Sequence, residues 1–191
     1  MSIKHAILGF LSWQPLAGYD LKKIFADSPF IHWSGNNNQI YRTLIDLHQA
    51  GLVANEVILP ESGPARKVYT ITESGRSELH DWLLSVPEAP QHRNEFLVQL
   101  AWADLMSPAE MSTLLDGYIH SVEVQLLVAQ EEKRRGRVNP ARTARETILW
   151  AALHDNRIGY YENELAWARR LQAELGNDTS PASGARREAG I

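Results

Sequence analysis

Beyond residue 107 the chain carries two helical patterns too long to be buried by any short neighbour. This limits the fold more than any other feature. The run SPAE at Ser107 to Glu110 is a complete helix-start signature. Ser107 can cap, Pro108 can take the first helical position where its missing N–H costs nothing, and Glu110 can close a capping box. Met111, Leu114, Leu115, Tyr118, Ile119, Val122, Leu126 and Leu127 then hold helical register to about Arg135, where GRVNP interrupts. Asn139-Pro140 is expected to open a last helix of more than thirty residues, ending near Leu175-Gly176. Such helices pack against each other and against a second subunit, because one short partner cannot cover their apolar stripes. A homodimer through these C-terminal helices is the expectation.

Upstream the pattern is shorter and more punctuated. Ile3, Ala6, Ile7, Phe10 and Leu11 share one face of a first helix over Ser2 to Trp13. Pro15 and Gly18 break the chain, and Tyr19 to Ala26 form a second helix with Leu21, Ile24 and Phe25 on its apolar side. A third helix is expected from about Asn36 to Gln49, closed by the glycine signal Ala50-Gly51. The β-rich runs LVANEVIL and ARKVYTIT then rejoin through PESGP and read as a hairpin. Thr72 caps a fourth helix over Glu73 to Ser85 that carries Leu79, Trp82, Leu83 and Leu84. VPEAPQH, with Pro87 and Pro90, is the clearest linker, and a further helix is expected over Asn94 to Met106.

Helix, helix, helix, hairpin, helix is the order of a winged helix-turn-helix domain, whose third helix enters the major groove by its N-terminal end. The fold expected is therefore mainly α with a small β-hairpin. It consists of an N-terminal winged helix-turn-helix DNA-binding domain (1–86), a linker (87–93), a C-terminal long-helix dimerisation and effector domain (94–176) and a Ser-, Gly- and Pro-rich tail (177–191) expected to be disordered.

The stretch NNNQIYRTLIDL, Asn36 to Leu47, carries the functional signal. Ile40, Leu44 and Leu47 form a core stripe. Turning 100° per residue from Ile40 puts Asn38, Arg42 and Gln49 opposite it, with Gln39 and Tyr41 flanking. Arginine matches guanine O6 and N7 at two points, and asparagine or glutamine matches adenine N6 and N7. Asn37, Asn38, Gln39, Tyr41 and Arg42 are thus candidate contacts to double-stranded DNA. Lys22, Lys23, Arg66 and Lys67 suit phosphates, which set register but carry little sequence information. Asn36 can also serve only as a helix cap. Residues 1–85 hold seven Lys/Arg and eight Asp/Glu, so 7 − 8 = −1, where a DNA-binding domain is usually basic. The basicity must be local. A winged-helix module that binds proteins without specific DNA recognition is the alternative.

AILGFLSWQPLAGYDLKKIF, NNNQIYRTLIDLHQAGLV, RKVYTITESGRSELHDWL and RNEFLVQLAWADLMSPAEM resemble the PadR family of bacterial transcriptional regulators, over roughly Ile3 to Leu175. The resemblance implies a winged-helix repressor, dimeric through its C-terminal helices and released from DNA by a small, often aromatic, effector. It places Asn38, Gln39, Tyr41 and Arg42 in the family's recognition segment. Many members have Ser-Gly or His-Gly before the QIY triplet, whereas this chain has GNNNQ, a departure that bears on base preference. Of the six tryptophans, Trp13, Trp102 and Trp150 are the candidates for an effector pocket, the rest being core or dimer anchors.

Composition and motifs narrow the other classes. The chain is 44% hydrophobic and 22% charged, an ordinary soluble composition. No apolar run approaches the roughly 18 residues of a membrane span, and SWQPLAGYDLKK offers no signal-peptide cleavage pattern. The absence of cysteine suits a cytoplasmic protein. None of the seven histidines pairs with another at three- or four-residue spacing, so no metal is expected. Neither a nucleophile elbow nor a phosphate or dinucleotide glycine loop is present, so neither a cofactor nor catalytic residues are expected and the chain reads as a non-enzyme.

Overall fold

In the computed structural model of the chain, residues 3–28, 38–59, 65–89, 94–136 and 141–177 are described. They fall into two compact units, Met1–Pro90 and Gln91–Ile191, each taken by itself below.

The first unit runs α1 (Ile3–Leu11), β1 (Leu16–Ala17), α2 (Gly18–Asp27), α3 (Asn38–Gln49), β2 (Val53–Ile58), β3 (Arg66–Ile71) and α4 (Glu73–Leu84). Its core joins Ile7, Leu8 and Leu11 of α1, Leu21 of α2, and Ile40, Leu44 and Leu47 of α3 to Val53, Tyr69 and Ile71 of the sheet. The hairpin is present in register, with Val53 opposite Ile71 and Ile58 opposite Arg66. A strand not foreseen from sequence completes the sheet. Leu16 and Ala17 pair antiparallel with Tyr69 and Val68, giving the order β1-β3-β2. Two residues between a proline and a glycine carry no alternation, so only pairing reveals them.

The exit of α3 is a Schellman turn. Leu52 N donates to Leu47 O (2.9 Å) and Gly51 N to His48 O (3.0 Å), with Gly51 left-handed at φ 71°. The same junction starts α4. Thr72 Oγ1 accepts from Gly75 N (3.1 Å) and donates to Gly51 O (2.8 Å), while Thr72 N donates to Leu52 O (3.1 Å). The helices are thus tied through one carbonyl pair. α4 differs from its sequence reading. Leu79 packs on the core, and Trp82 stacks on His5 of α1 (centroids 4.6 Å apart), with Glu78 accepting from Lys4 (2.5 Å). Leu83 and Leu84, expected on the apolar side, are 65% and 72% exposed. The apolar residues at the end of α4 outrun the surface of α1 that could cover them.

The second unit runs α5 (Glu95–Ala101), a 3-10 turn (Ala103–Leu105), α6 (Pro108–Arg135) and α7 (Ala144–Asn177). The expected helix over Asn94 to Met106 is split. Asn94 lies outside it as the N-cap, and α5 ends at Trp102, whose N–H bonds both Gln99 O and Leu100 O before the chain tightens. α6 begins as its sequence implies, with Ser107 N donating to Glu110 Oε2 (2.8 Å), and ends at left-handed Gly136. α7 begins later than expected. Ala141 and Arg142 are not helical, and Thr143 Oγ1 accepts from Glu146 N (3.0 Å) as the start of the helix. The expected start at Asn139-Pro140 lies outside the described residues.

α6 and α7 pair antiparallel, as cross-links of falling and rising number show: Asp116 with Gln172, Glu123 with Arg169, Lys133 with Asp155. Their shared core is small, Ile119 and Val122 against Leu165 and Ala168. His154 is buried nearby at 8% exposure, and burial holds its imidazole below the ordinary histidine range against the opposing pull of Glu132. Among the described residues no helix is long and apolar enough to cross a membrane.

Two outcomes are expected. A Cβ at Gly75 would lie 2.1 Å from Leu52 O, a backbone atom that cannot swing aside. Gly75→Ala should cost about 1–3 kcal/mol in urea unfolding of the first unit. His154, neutral when folded, takes up a proton more readily once unfolded, so the unfolded state binds more protons as pH falls. Stability of the second unit should therefore be lost below about pH 6.5. His154→Gln should show a smaller drop in urea midpoint between pH 7.5 and pH 5.5 than the wild type.

Candidate nucleic-acid interface

Burial of one stripe sets the rotation of α3 about its axis. Ile40, Leu44 and Leu47 are at most 3% exposed, and Asn38, Gln39, Tyr41, Arg42 and Gln49 all lie on the exposed side. The face expected from the 100° turn is the face found. Asn37 lies outside the described residues. The polar tip thus comprises two amides and a guanidinium on the first turn and a half of a helix whose other side is locked in the core.

Tyr41 does more than flank. A Cβ built at Gly18 would sit 2.5 Å from its Cε1, so the ring lies directly on the glycine that opens α2. Only hydrogen fits there. The contact joins the first turn of α2 to the first turn of α3 and limits how far the polar tip can swing. Sequence spacing could not show it, because Gly18 reads as mere punctuation. Asp20 is turned back to accept from Ala17 N (3.4 Å), which draws one acid towards the helix start. Next to it Tyr19 is exposed, and the Lys23 ammonium lies 4.6 Å from its ring centroid. Lys22 is half-buried and Lys23 exposed.

Arg66 and Lys67 are both exposed at the far end of β3. Successive strand residues point to opposite faces, so the two cations cannot serve one contact. Lys67 shares the face of Tyr69, with its ammonium 5.6 Å from that ring. Arg66 occupies the other face.

The three tryptophans proposed for an effector are dispersed along the fold. Trp13 belongs to the first unit, edge-on to Phe10 (5.0 Å) beside the core. Trp102 and Trp150 belong to the second unit, the former 70% exposed at the end of α5 and the latter half-buried on α7. A cluster that the sequence did not single out lies in that second unit. Asn94 Nδ2 donates to Tyr118 Oη (2.8 Å) and to Glu164 Oε1 (3.4 Å), and the Tyr118 hydroxyl donates to Glu164. Phe96 stacks on Tyr118 with centroids 3.7 Å apart, and Trp167 meets Phe96 edge-on. Burial, reinforced by Glu164, pushes the Tyr118 hydroxyl up to about 12, so it stays a donor throughout the neutral range. Tyr118 reads in sequence as one more member of the apolar stripe, and its partners stand 24 and 46 residues away. Among the described residues no group of three or more His, Asp or Glu side chains could hold a metal ion.

Comparison with known proteins matches this two-part architecture. Residues 7–81 match the model of the transcriptional regulator PadR-like family, and residues 92–176 match that of the virulence activator alpha C-terminal domain. The chain is 26% identical over 179 residues to the negative transcriptional regulator PadR of Bacillus subtilis, covering 92% of this chain and 98% of that protein. It is similar to the crystal structure of Bacillus subtilis PadR in complex with operator DNA, with a TM-score of 0.81 and 25% identity over 91% of this chain and 98% of that one. The fold also matches the same protein in complex with p-coumaric acid, with a TM-score of 0.77 and 24% identity over the same shares. With both units matched in order and nearly the whole relative covered, this chain belongs to the PadR-like family of transcriptional regulators, in the longer form that carries the C-terminal helical domain.

Proposed function

We propose that this chain is a cytoplasmic, homodimeric transcriptional repressor that binds operator DNA and leaves it when a small aromatic effector binds; it is a regulator and not an enzyme. The observation that carries this reading is the first turn of α3, whose exposed Asn38, Gln39 and Arg42 stand opposite a fully buried stripe. In this reading residues 1–86 bind DNA, 87–93 link, 94–176 dimerise and sense the effector, and 177–191 are a tail. Asn37, Asn38, Gln39 and Arg42 read bases, Tyr41 packs on Gly18 and flanks them, and Lys22, Lys23, Arg66 and Lys67 meet phosphates.

The Bacillus subtilis relative, whose structures include an operator complex and a p-coumaric acid complex, supports both ligand classes. Trp13, Trp102 and Trp150 are the proposed aromatic contacts for the effector. The dimer is supported by Leu127, Ile148 and Leu149 on α6 and α7, which are 57–68% exposed in the single chain. Release requires only a difference in affinity. An effector that binds the DNA-incompetent dimer about a hundredfold more tightly supplies roughly 3 kcal/mol.

A second reading is favoured by one fact, the net charge of −1 over residues 1–85. On that reading the winged unit binds a protein and not a specific DNA sequence.

Fluorescence anisotropy with a duplex from upstream of the chain's own gene, beside a scrambled duplex and over a salt series, separates the two. Operator recognition should appear as sequence-dependent binding that falls steeply with salt. Arg42→Ala should then cost roughly 1–3 kcal/mol, the loss of one two-point base contact. Equal binding of operator, scrambled duplex and the Arg42→Ala variant would favour the protein-binding reading. Gly18→Ala should weaken operator binding without removing any side chain that touches DNA, because it drives the Tyr41 ring off its seat. In a double-mutant cycle with Tyr41→Ala the two losses should be non-additive.

A further inference from the structure

The hairpin holds a feature that cations alone do not explain. Three consecutive large apolar residues, Val57, Ile58 and Leu59, are 63%, 44% and 80% exposed at its distal end. Such a run on an open strand is an aggregation hazard unless something covers it. β2 is also an edge of the sheet. Their placement is ordered. Val57 stands directly opposite Lys67, and Ile58 directly opposite Arg66. Cross-strand partners share a face with Cβ atoms about 4.5–5.5 Å apart, and adjacent pairs take opposite faces. Each face of the distal ribbon therefore carries one apolar side chain beside one longer cation.

That pairing matches the chemistry of a nucleic-acid backbone, where an apolar deoxyribose sits between anionic phosphates. Arg and Lys reach further than Ile and Val, so the charge meets the phosphate while the shorter apolar group meets the sugar. Two such faces fit the two walls of a groove. Glu56, opposite Val68 on the Ile58 face, lies one alternation nearer the base of the sheet. Its exposed carboxylate repels phosphate and confines the contact to the last two pairs.

We propose that the distal hairpin enters a DNA groove edge-on, with Val57·Lys67 against one sugar–phosphate strand and Ile58·Arg66 against the other, and with Leu59 extending the apolar edge. This rests on the DNA-binding reading above and deepens it. It assigns the wing a desolvated apolar contact in addition to charge.

Salt separates the two components. Releasing counterions makes log K fall with log salt by about 0.9 for each phosphate neutralised, whereas burial of an apolar group against sugar changes log K without changing that slope. The test compares the full chain, Val57→Ser/Ile58→Ser and Arg66→Ala/Lys67→Ala on the upstream and scrambled duplexes over a salt series. Val57→Ser/Ile58→Ser should bind about tenfold more weakly at every salt concentration with an unchanged slope. Arg66→Ala/Lys67→Ala should lose about 1.8 from the slope, 0.9 for each of two phosphates. Both pairs are exposed, so urea midpoints should match the wild type; a matched midpoint confirms that the loss is one of contact.

Sugars and phosphates are common to every sequence, so the apolar loss should appear on scrambled duplex too. Absence of sequence preference in the wild type would sink the operator reading and leave this comparison intact. The proposal is overturned if Val57→Ser/Ile58→Ser binds both duplexes as the wild type does. It is equally overturned if that variant keeps its DNA affinity and changes its mass in sedimentation, which would make the strip a contact with a second copy.

Discussion

Burying three aliphatic residues of one helix governs the rest of the first unit. Ile40, Leu44 and Leu47 lie in the core with Leu8, Leu11 and Leu21, and a helix held along one stripe cannot rotate. Each buried side chain of this size stabilises by roughly 1.5–3 kcal/mol, so rolling the helix to hide its amides would cost several times that, besides stranding the amides without water. The outward direction of Asn38 and Arg42 is thus a consequence of packing behind them. The polar tip needs no interaction of its own to be displayed.

The hairpin is positioned by a different device. Thr72 and the carbonyls of Gly51 and Leu52 join the end of α3 to the beginning of α4, and both β-strands lie in the chain between those points. The ribbon is therefore anchored at its base, where Val53 and Ile71 are buried, and open at its far end, where Val57 and Lys67 are not. Gly75 lets α4 lie against Leu52 at backbone distance. A larger residue would push the base apart and tilt the ribbon relative to α3. The spacing between the two DNA-facing elements is set in this way by hydrogen bonds remote from either.

The second unit works under a weaker constraint. Four buried residues hold two helices of 28 and 34 residues side by side. Polar links carry much of the specificity: Asn94, Tyr118 and Glu164 at one end, Lys133 with Asp155 and Arg157 with Glu132 at the other. Exposed ion pairs contribute little individually. The buried hydroxyl of Tyr118 differs, because leaving it unpaired would cost more than the pair contributes.

Local chemistry alone determined a good deal. The Ser107–Pro108–Glu110 start, the Thr72 cap, the Gly51 exit and the outward face of α3 were all legible, because caps and helical stripes depend on residues within one turn or two. What only the tertiary structure decided depends on distant partners. The two-residue strand at Leu16 exists because Tyr69 is beside it, and α7 starts at Thr143 because Glu146 finds that hydroxyl. Leu83 and Leu84 stay outside because α1 is too short to reach them. The seat of Tyr41 on Gly18 and the Asn94–Tyr118–Glu164 cluster have the same origin. Periodicity describes which side of an element is apolar, whereas a contact between residues dozens of positions apart requires the chain to have already folded back on itself.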